Sequence, residues 1–404
     1  MGPLFLTAVL LAAPGTSAAP PAPARPVVLR VITFNVWGLR LITPDRRPRI
    51  EAIADYVARA APDMVSFQEV WVDSDAHLLR DRRSQAGLHY SSRFEGAGSD
   101  SGLLLVSRYP ILETHFTVFA DGHTPHTPWH LDWAVDKGVG VARVEAPFGP
   151  LEVAVTHMQS GYGSDEYRFV QLGQVLQAVD SVAPSTEGHP PLVFAGDLNA
   201  GAGTLPFEAL TAIAGLTPSV SNSGIDAVLT RSGDGVCLAP LATHMLFTAP
   251  VALSNGHERP LSDHPAVVAE IAATPCDSAR RWTALQPPIT AALLPAIERE
   301  CDTRRWTWAR DGIVAISLIL LVWAGRGRRR TRRGAALRVV SWAALLWMLY
   351  RAAWFGPDTV RALSDLGERA RVHVANTALS PSSAESVKLA HGYEGALPKT
   401  DVEP

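Results

Sequence analysis

Three cysteines in 404 residues, with no CxxC pair and no Cys/His cluster, argue against a zinc site built on thiolates. In an oxidising compartment Cys276 could pair with Cys301 and leave Cys237 free; other pairings stay open. Nor is there an excess of one charge. Thirty-six Lys and Arg face 39 Asp and Glu, a net of -3, so no global basic field draws the chain to nucleic acid. No internal repeat is visible. Finally, no apolar run reaches the roughly 20 residues that comfortably span a bilayer.

What is present is unevenly distributed. Six of the 11 Trp fall after position 300, as does a dense arginine cluster. The N-terminal "MGPLFLTAVLLAAPGTSAAPPAPARP" has an apolar run of secretory length ending in small residues. That pattern predicts a signal peptide over residues 1–18 and a Pro/Ala linker over 19–27. Near the other end, Gly312–Gly325 and Val339–Gly356 are apolar and flanked by Trp. Between them, residues 326–338 carry seven Arg and no Asp or Glu. Interfacial Trp, arginines able to snorkel and an arginine-only loop predict a helical membrane hairpin over 312–356. A juxtamembrane segment, 275–311, precedes it and a tail, 357–404, follows. Short arginine loops stay cytoplasmic, so the preceding domain is expected on the exported, extracytoplasmic side.

Between the ends lies one domain, residues 28–274. Wholly apolar or alternating runs recur at Val27–Phe34, Met64–Phe67, Gly102–Ser107, Val139–Val144, Leu151–Thr156, Leu192–Ala195, Ile225–Leu229 and Pro265–Ile271. Ile50, Ile53, Ala54, Val57 and Ala58 make one helical face, and Val175, Leu176 and Val179 belong to another. Strands outnumber helices, and the helices are spaced too irregularly for a βαβ wind. Two sheets packed face to face with helices outside fit better.

The strand ends carry the chemistry. Asn35 follows the first run, Glu69 the second, His157 the fifth, and Asp197 with Asn199 the sixth. Asp226 follows Ile225, and Asp263 with His264 precede the last strand. Singly each has an ordinary reading: Asn35 as an Asx turn, Glu69 as a solvated carboxylate, His157 as a structural histidine. Together they form a cluster that is costly without a balancing charge. Oxygen donors without thiolate suit a hard cation, Mg²⁺ or alternatively Mn²⁺, and such cations serve phosphate-bearing substrates.

In this order, "TFNVWGLR", "SFQEVW", "SGLLLVSRYPI", "VTHMQ", "GDLNA", "IDAVL" and "SDHPAV" resemble the endonuclease/exonuclease/phosphatase superfamily. Trp37-Gly38, Val70-Trp71 and "LDWAVDKGVG" make the chain most similar to the neutral sphingomyelinases within it. The resemblance covers about residues 28–271 and implies a four-layer α/β/β/α sandwich of two mixed sheets with the site at their open end. By matching motif it implies Glu69 as the main Mg²⁺ ligand with Asn35 beside it and Asp263 near. Asp197 would position the attacking water and Asn199 would hold a phosphate oxygen. His264 would be the general base, oriented by Asp226, and His157 would serve the phosphoryl oxygens or the leaving alkoxide. Asp132 and Lys137 match a switch pair of that family, although Asp136 competes for the aspartate role. Gln159 stands where some relatives have histidine, and the long aromatic hairpin of secreted bacterial sphingomyelinases is missing.

The implied reaction is hydrolysis of sphingomyelin, or a related choline phospholipid, to ceramide and phosphocholine, with the hairpin holding the enzyme at the bilayer. An exported nuclease, or another phospholipid or phosphate-ester hydrolase of the superfamily, is the alternative, and the mixed charge argues against a nucleic-acid partner. A binding module on a dead scaffold ranks last, because every expected catalytic position is filled.

Overall fold

The computed structural model describes residues 26–276 apart from 41, 84–86, 97–99, 121–134, 162–164, 184–188 and 220–223, with scattered positions between 295 and 368. Alternation along the strands decides its layering. In β1 (Val27–Asn35), Leu29 and Val31 face one side while Ile32 and Phe34 face the other. Extended chain has a two-residue period, so both faces of this strand are covered.

Two six-stranded sheets result. The first runs β11 (Val236–Leu246), β14 (Ala266–Pro275), β1, β2 (Met64–Gln68), β4 (Asp100–Ser107), β3 (Tyr90–Glu95). The second runs β5 (Ile111–Val118), β6 (Gly138–Ala146), β7 (Gly149–His157), β8 (Leu192–Asp197), β10 (Asp226–Arg231), β9 (Thr217–Pro218). Each is mixed: β1 and β2 are parallel, as are β7 and β8, within otherwise antiparallel ladders. A short hairpin, β12 (Val251–Ala252) with β13 (Glu258–Arg259), stands apart.

Three apolar layers separate four layers of structure. Val31, Met64 and Leu105 of the first sheet meet Val153, Val193 and Val228 of the second. Behind the first sheet, Phe34, Val65 and Val268 pack on Ile50, Ile53 and Val57 of α1 (Arg46–Ala60) and Leu79 of α2 (Asp73–Arg83). Behind the second, Ala154, Phe194 and Leu229 pack on Val175 of α3 (Asp165–Ser181) and Leu210 of α4 (Leu205–Ala214). Each fully buried Leu, Ile or Phe contributes about 1.5–3 kcal/mol relative to exposure. The expected α/β/β/α order is therefore the observed one.

The cysteine pairing differs from the expectation. Cys237, at the start of β11, is bonded to Cys276, just past β14, with Cα atoms 5.7 Å apart. Two strands paired in register bring these positions together, a long-range proximity that spacing along the chain does not reveal. Cys301 lies outside the described residues. So do the expected signal peptide, Asp132 and most of the expected hairpin. Among the described residues, no helix is long and apolar enough to cross a membrane.

Candidate active site

Strand register assembles the site. His157 pairs with Asp197 at the end of the β7–β8 ladder, and Asp226 pairs with the same Asp197 across β8–β10. Counting back by twos from His157, Asp197 and Asp226 reaches Val155, Ala195 and Val228, all in the layer between the sheets. The three polar side chains thus continue that inter-sheet layer to its end. On the facing sheet Asn35 pairs with Gln68 and continues the line of Leu29, Val31 and Thr33. One row of polar groups from each sheet meets where the seam opens.

The amide of Asn35 joins the two rows. Its Nδ2 donates to Glu69 Oε1 and to Asp197 Oδ2, each at 3.0 Å, while Oδ1 accepts the Trp37 N–H at 3.0 Å. The Asx turn and the functional reading therefore coexist in one side chain. Trp37, Glu69 and Asn199 all have positive φ, at 50°, 62° and 50°. For residues with a Cβ this conformation costs of order 1–2 kcal/mol. Strain of this kind gathers where the chain must turn sharply to aim a side chain. Gly38 lets the turn after Asn35 close down, since a Cβ there would fall 2.1 Å from the Glu69 carbonyl oxygen.

His264 enters from the loop before β14. Its Nδ1 lies 2.7 Å from Asp226 Oδ2 and its Nε2 lies 3.8 Å from Asp197 Oδ2. Ser262 holds that loop: its hydroxyl donates to the Asn35 carbonyl at 2.6 Å and accepts the His264 N–H at 3.2 Å. Asp263 is exposed and takes a 3.2 Å bond from Ser262. Lys137 is buried, with Nζ 2.9 Å from His157 Nε2 and 2.9 Å from the Met158 carbonyl. Asn199 donates its N–H to Asp197 Oδ1 at 2.9 Å and its Nδ2 to the Met158 carbonyl at 2.8 Å. The Asp136 carboxylate sits over Gly96, where a Cβ would fall 2.3 Å from Oδ2. Gln159 is held by α3 through Gln174, which accepts its N–H at 2.8 Å.

The electrostatics describe an anionic cluster short of positive charge. Burial raises the carboxyl groups of Glu69 and Asp226, and it raises Asp197, with help from the Asp226 charge, to about 7. Burial acts against the His264 imidazolium, but the Asp226 hydrogen bond and the surrounding carboxylates outweigh it and raise the group to about 9. His157 is pushed well below the usual histidine range by burial, then by Lys137 and His264. Its 3.5 Å approach to Asp197 is therefore not an ion pair, and a neutral ring accepts the Lys137 N–H at Nε2. Glu69 Oε2 and Asp226 Oδ1 are buried and lack a hydrogen-bond partner among the described residues. Orphaned carboxylate oxygens and raised carboxyl pKa values are what a hard divalent cation would relieve.

Among the described residues, the atoms of Asp197, Asp226 and His264 come within 4.8 Å of one another, a grouping distinct from the Glu69, Asn35 and Asp263 set expected as ligands. The 2.7 Å Asp226–His264 bond already uses one oxygen of this trio. The oxygen-rich side, Glu69 with Asp197, suits the cation better.

Of the expected residues, Asn35, Glu69, Lys137, His157, Asp197, Asn199, Asp226 and His264 are linked through these contacts, Asp263 lies at the exposed rim, and Asp132 is outside the described residues. Ser262, Gln174 and a second α3 glutamine, Gln171, whose Nε2 donates to the Gln159 and Asn199 carbonyls at 2.8 and 2.9 Å, are site residues that the sequence motifs do not name. Ser262 had a signal, being a serine two residues before the histidine in a turn. The α3 glutamines had none, since buried amides look like solvated ones in sequence.

The Drosophila melanogaster protein provisionally named neutral sphingomyelinase is 31% identical over 274 residues, which is 60% of each chain. The Schizosaccharomyces pombe inositol phosphosphingolipids phospholipase C is 32% identical over 186 residues, 45% of this chain and 44% of the relative. Human sphingomyelin phosphodiesterase 2 is 26% identical over 176 residues, 42% and 41% of the two chains. The chain thus spans 60% or less of the length of these curated relatives. The crystal structure of sphingomyelinase C from Streptomyces griseocarneus covers 60% of this chain and 99% of its own, at 19% identity and a TM-score of 0.48. The family model matches residues 32–264, from the strand that ends in Asn35 to His264, and with more than half the chain inside it this protein belongs to the endonuclease/exonuclease/phosphatase family.

Proposed function

We propose that the chain is a divalent-cation-dependent phosphodiesterase that hydrolyses sphingomyelin to ceramide and phosphocholine. The observation that carries this reading is the Asn35 amide holding Glu69 and Asp197 together beside the Asp226–His264 pair. Glu69 and Asp197 would hold Mg²⁺, or Mn²⁺, with Asn35 and Asp263 beside them. Bound there, the cation supplies charge stabilisation to the phosphoryl oxygens. The chain's own groups do the rest. Asp197 positions a water whose oxygen attacks phosphorus, and His264 Nε2, deprotonated once the cation charge offsets the carboxylates that raise the group to about 9, takes its proton while Asp226 keeps Nδ1–H oriented. The bond from phosphorus to the ceramide oxygen breaks as the water's oxygen bonds to phosphorus, and the ceramide oxygen leaves as the alcohol with a proton drawn from solvent. Asn199 donates a hydrogen bond to a phosphoryl oxygen, and His157, kept neutral chiefly by burial and accepting from Lys137 at Nε2, has its Nδ1–H left to donate to the phosphoryl or leaving oxygen.

The headgroup is open to a second reading, because one relative is named for inositol phosphosphingolipids. The test is headgroup release from sphingomyelin, an inositol phosphosphingolipid, phosphatidylcholine and plasmid DNA, each with saturating Mg²⁺. Sphingomyelin should be cleaved fastest. Preference for the inositol lipid would move the substrate, and efficient DNA nicking with no lipid turnover would replace the reading by a nuclease. The Cys237–Cys276 bond also supports an extracytoplasmic domain, since such bridges persist in oxidising compartments.

A further inference from the structure

Arg49 is a basic residue with almost no access to water. It lies on α1 at 1% exposure, among the largest fully buried side chains. Among the described residues no carboxylate is hydrogen-bonded to its guanidinium; four backbone carbonyls are. Nε donates to Pro44 at 3.0 Å, Nη1 to Val36 at 3.1 Å and to Leu261 at 2.5 Å, and Nη2 to Trp37 at 2.9 Å. The Trp37 ring covers it, with the guanidinium carbon 5.1 Å from the ring centroid. Burying such a charge is costly, and a hydrophobic residue would hold the helix to the sheet as well or better. Its partners suggest another reason. Val36 and Trp37 follow Asn35 directly, Gly38 abuts the Glu69 carbonyl, and Leu261 leads into Ser262, Asp263 and His264.

We propose that Arg49 is a positioning residue that registers the Asn35–Glu69 side of the site against the His264 loop and thereby sets the geometry of the cation position. The inference rests on the phosphodiesterase reading for the existence of that position. Arginine is required rather than lysine because a planar fork reaches several carbonyls in fixed directions, whereas an ammonium has three donors at one point. The guanidinium also lies close enough to Asp263 to be attracted by its charge. Replacing it by a neutral residue would therefore change two things at once. Arg49→Lys keeps the charge and removes the fork, so it isolates positioning.

The experiment measures Mn²⁺ binding by the electron paramagnetic resonance of the free ion, with no turnover involved. Arg231→Lys is the control: Arg231 is also buried and donates to the Ala214 and Val182 carbonyls, at the far end of β10. It should lose thermal stability yet bind Mn²⁺ within about twofold of wild type. Arg49→Lys should bind about tenfold or more weakly, the size expected when support behind metal ligands is lost. If Arg49→Lys does not fold, Ser262→Ala cuts the parallel link to the Asn35 carbonyl and should weaken Mn²⁺ in the same way. Unchanged binding by folded Arg49→Lys, or by Ser262→Ala in its place, overturns the proposal alone. Wild-type protein that binds no Mn²⁺ overturns the cation reading and this proposal with it.

Discussion

His264 Nδ1 lies 2.7 Å from Asp226 Oδ2 in a neighbourhood of carboxylates. Raised from 6.5 to about 9, the imidazolium stabilises the cation-free fold fully below the unfolded value and loses that contribution as pH passes through about 9. A divalent cation on Glu69 and Asp197 disfavours the imidazolium, so its pKa must fall when Mg²⁺ binds. Nuclear magnetic resonance titration of the His264 ring should find ionisation near 9 in chelator and lower in Mg²⁺. No downward movement would remove the cation from this neighbourhood. Glu69→Gln should keep the fold and lose at least about 100-fold in metal-dependent turnover, since one anionic ligand is gone. His264→Ala should lose a similar factor and still bind Mn²⁺, because the role proposed for it is proton transfer. Substantial turnover by either variant at saturating Mg²⁺ would refute its assigned role.

Which elements were legible in the sequence follows from where they sit. β1, β2, β4, β7, β8, β10 and β14 lie inside the sheets, are largely buried on both faces, and were visible as runs. β6, next to an edge, was visible too. β3, β5 and β11 were missed, and each is at or near a sheet edge with much of its length open to water: Glu113 to His115 of β5 are all exposed. A strand with few buried side chains has no strong apolar period to read. The site residues were legible because they terminate the interior strands. Arg49 was not singled out, although its spacing from Ile53 and Val57 puts it on the apolar face of α1; a basic residue near a helix start reads as solvated. The missed edge strand β11 matters to stability. Its disulfide closes a 39-residue separation, and on loop-entropy grounds Cys237→Ser should cost about 3–4 kcal/mol. Urea unfolding of the variant, and of wild type in reductant, should shift together. A shift in only one of them would mean the bridge is not what stabilises this edge.

At the scale of the whole molecule, we propose from charge and redox chemistry that the domain lies on the exported side of a membrane. The seven-arginine segment and the N-terminal apolar run both ask for export of the domain, and the Cys237–Cys276 bond suits an oxidising compartment. Protease added to intact cells or spheroplasts should remove epitope tags in the domain and after Pro404 while sparing the arginine loop. Protection of the domain until the membrane is opened would reverse the topology. Such an anchor would meet a domain with two unlike poles. Val27 pairs with Ala273 at one end of the first sheet, whereas Asn35 and the start of β14 lie at the other. The chain therefore enters and leaves at the pole opposite the cation position. Residues 277–311 can span at most about 120 Å at 3.3–3.6 Å each, several times the length of a ten-residue strand. A hairpin anchor would act as a leash on the wrong end: the domain must turn over to meet the bilayer, and shortening that leash should slow lipid turnover while sparing a soluble substrate.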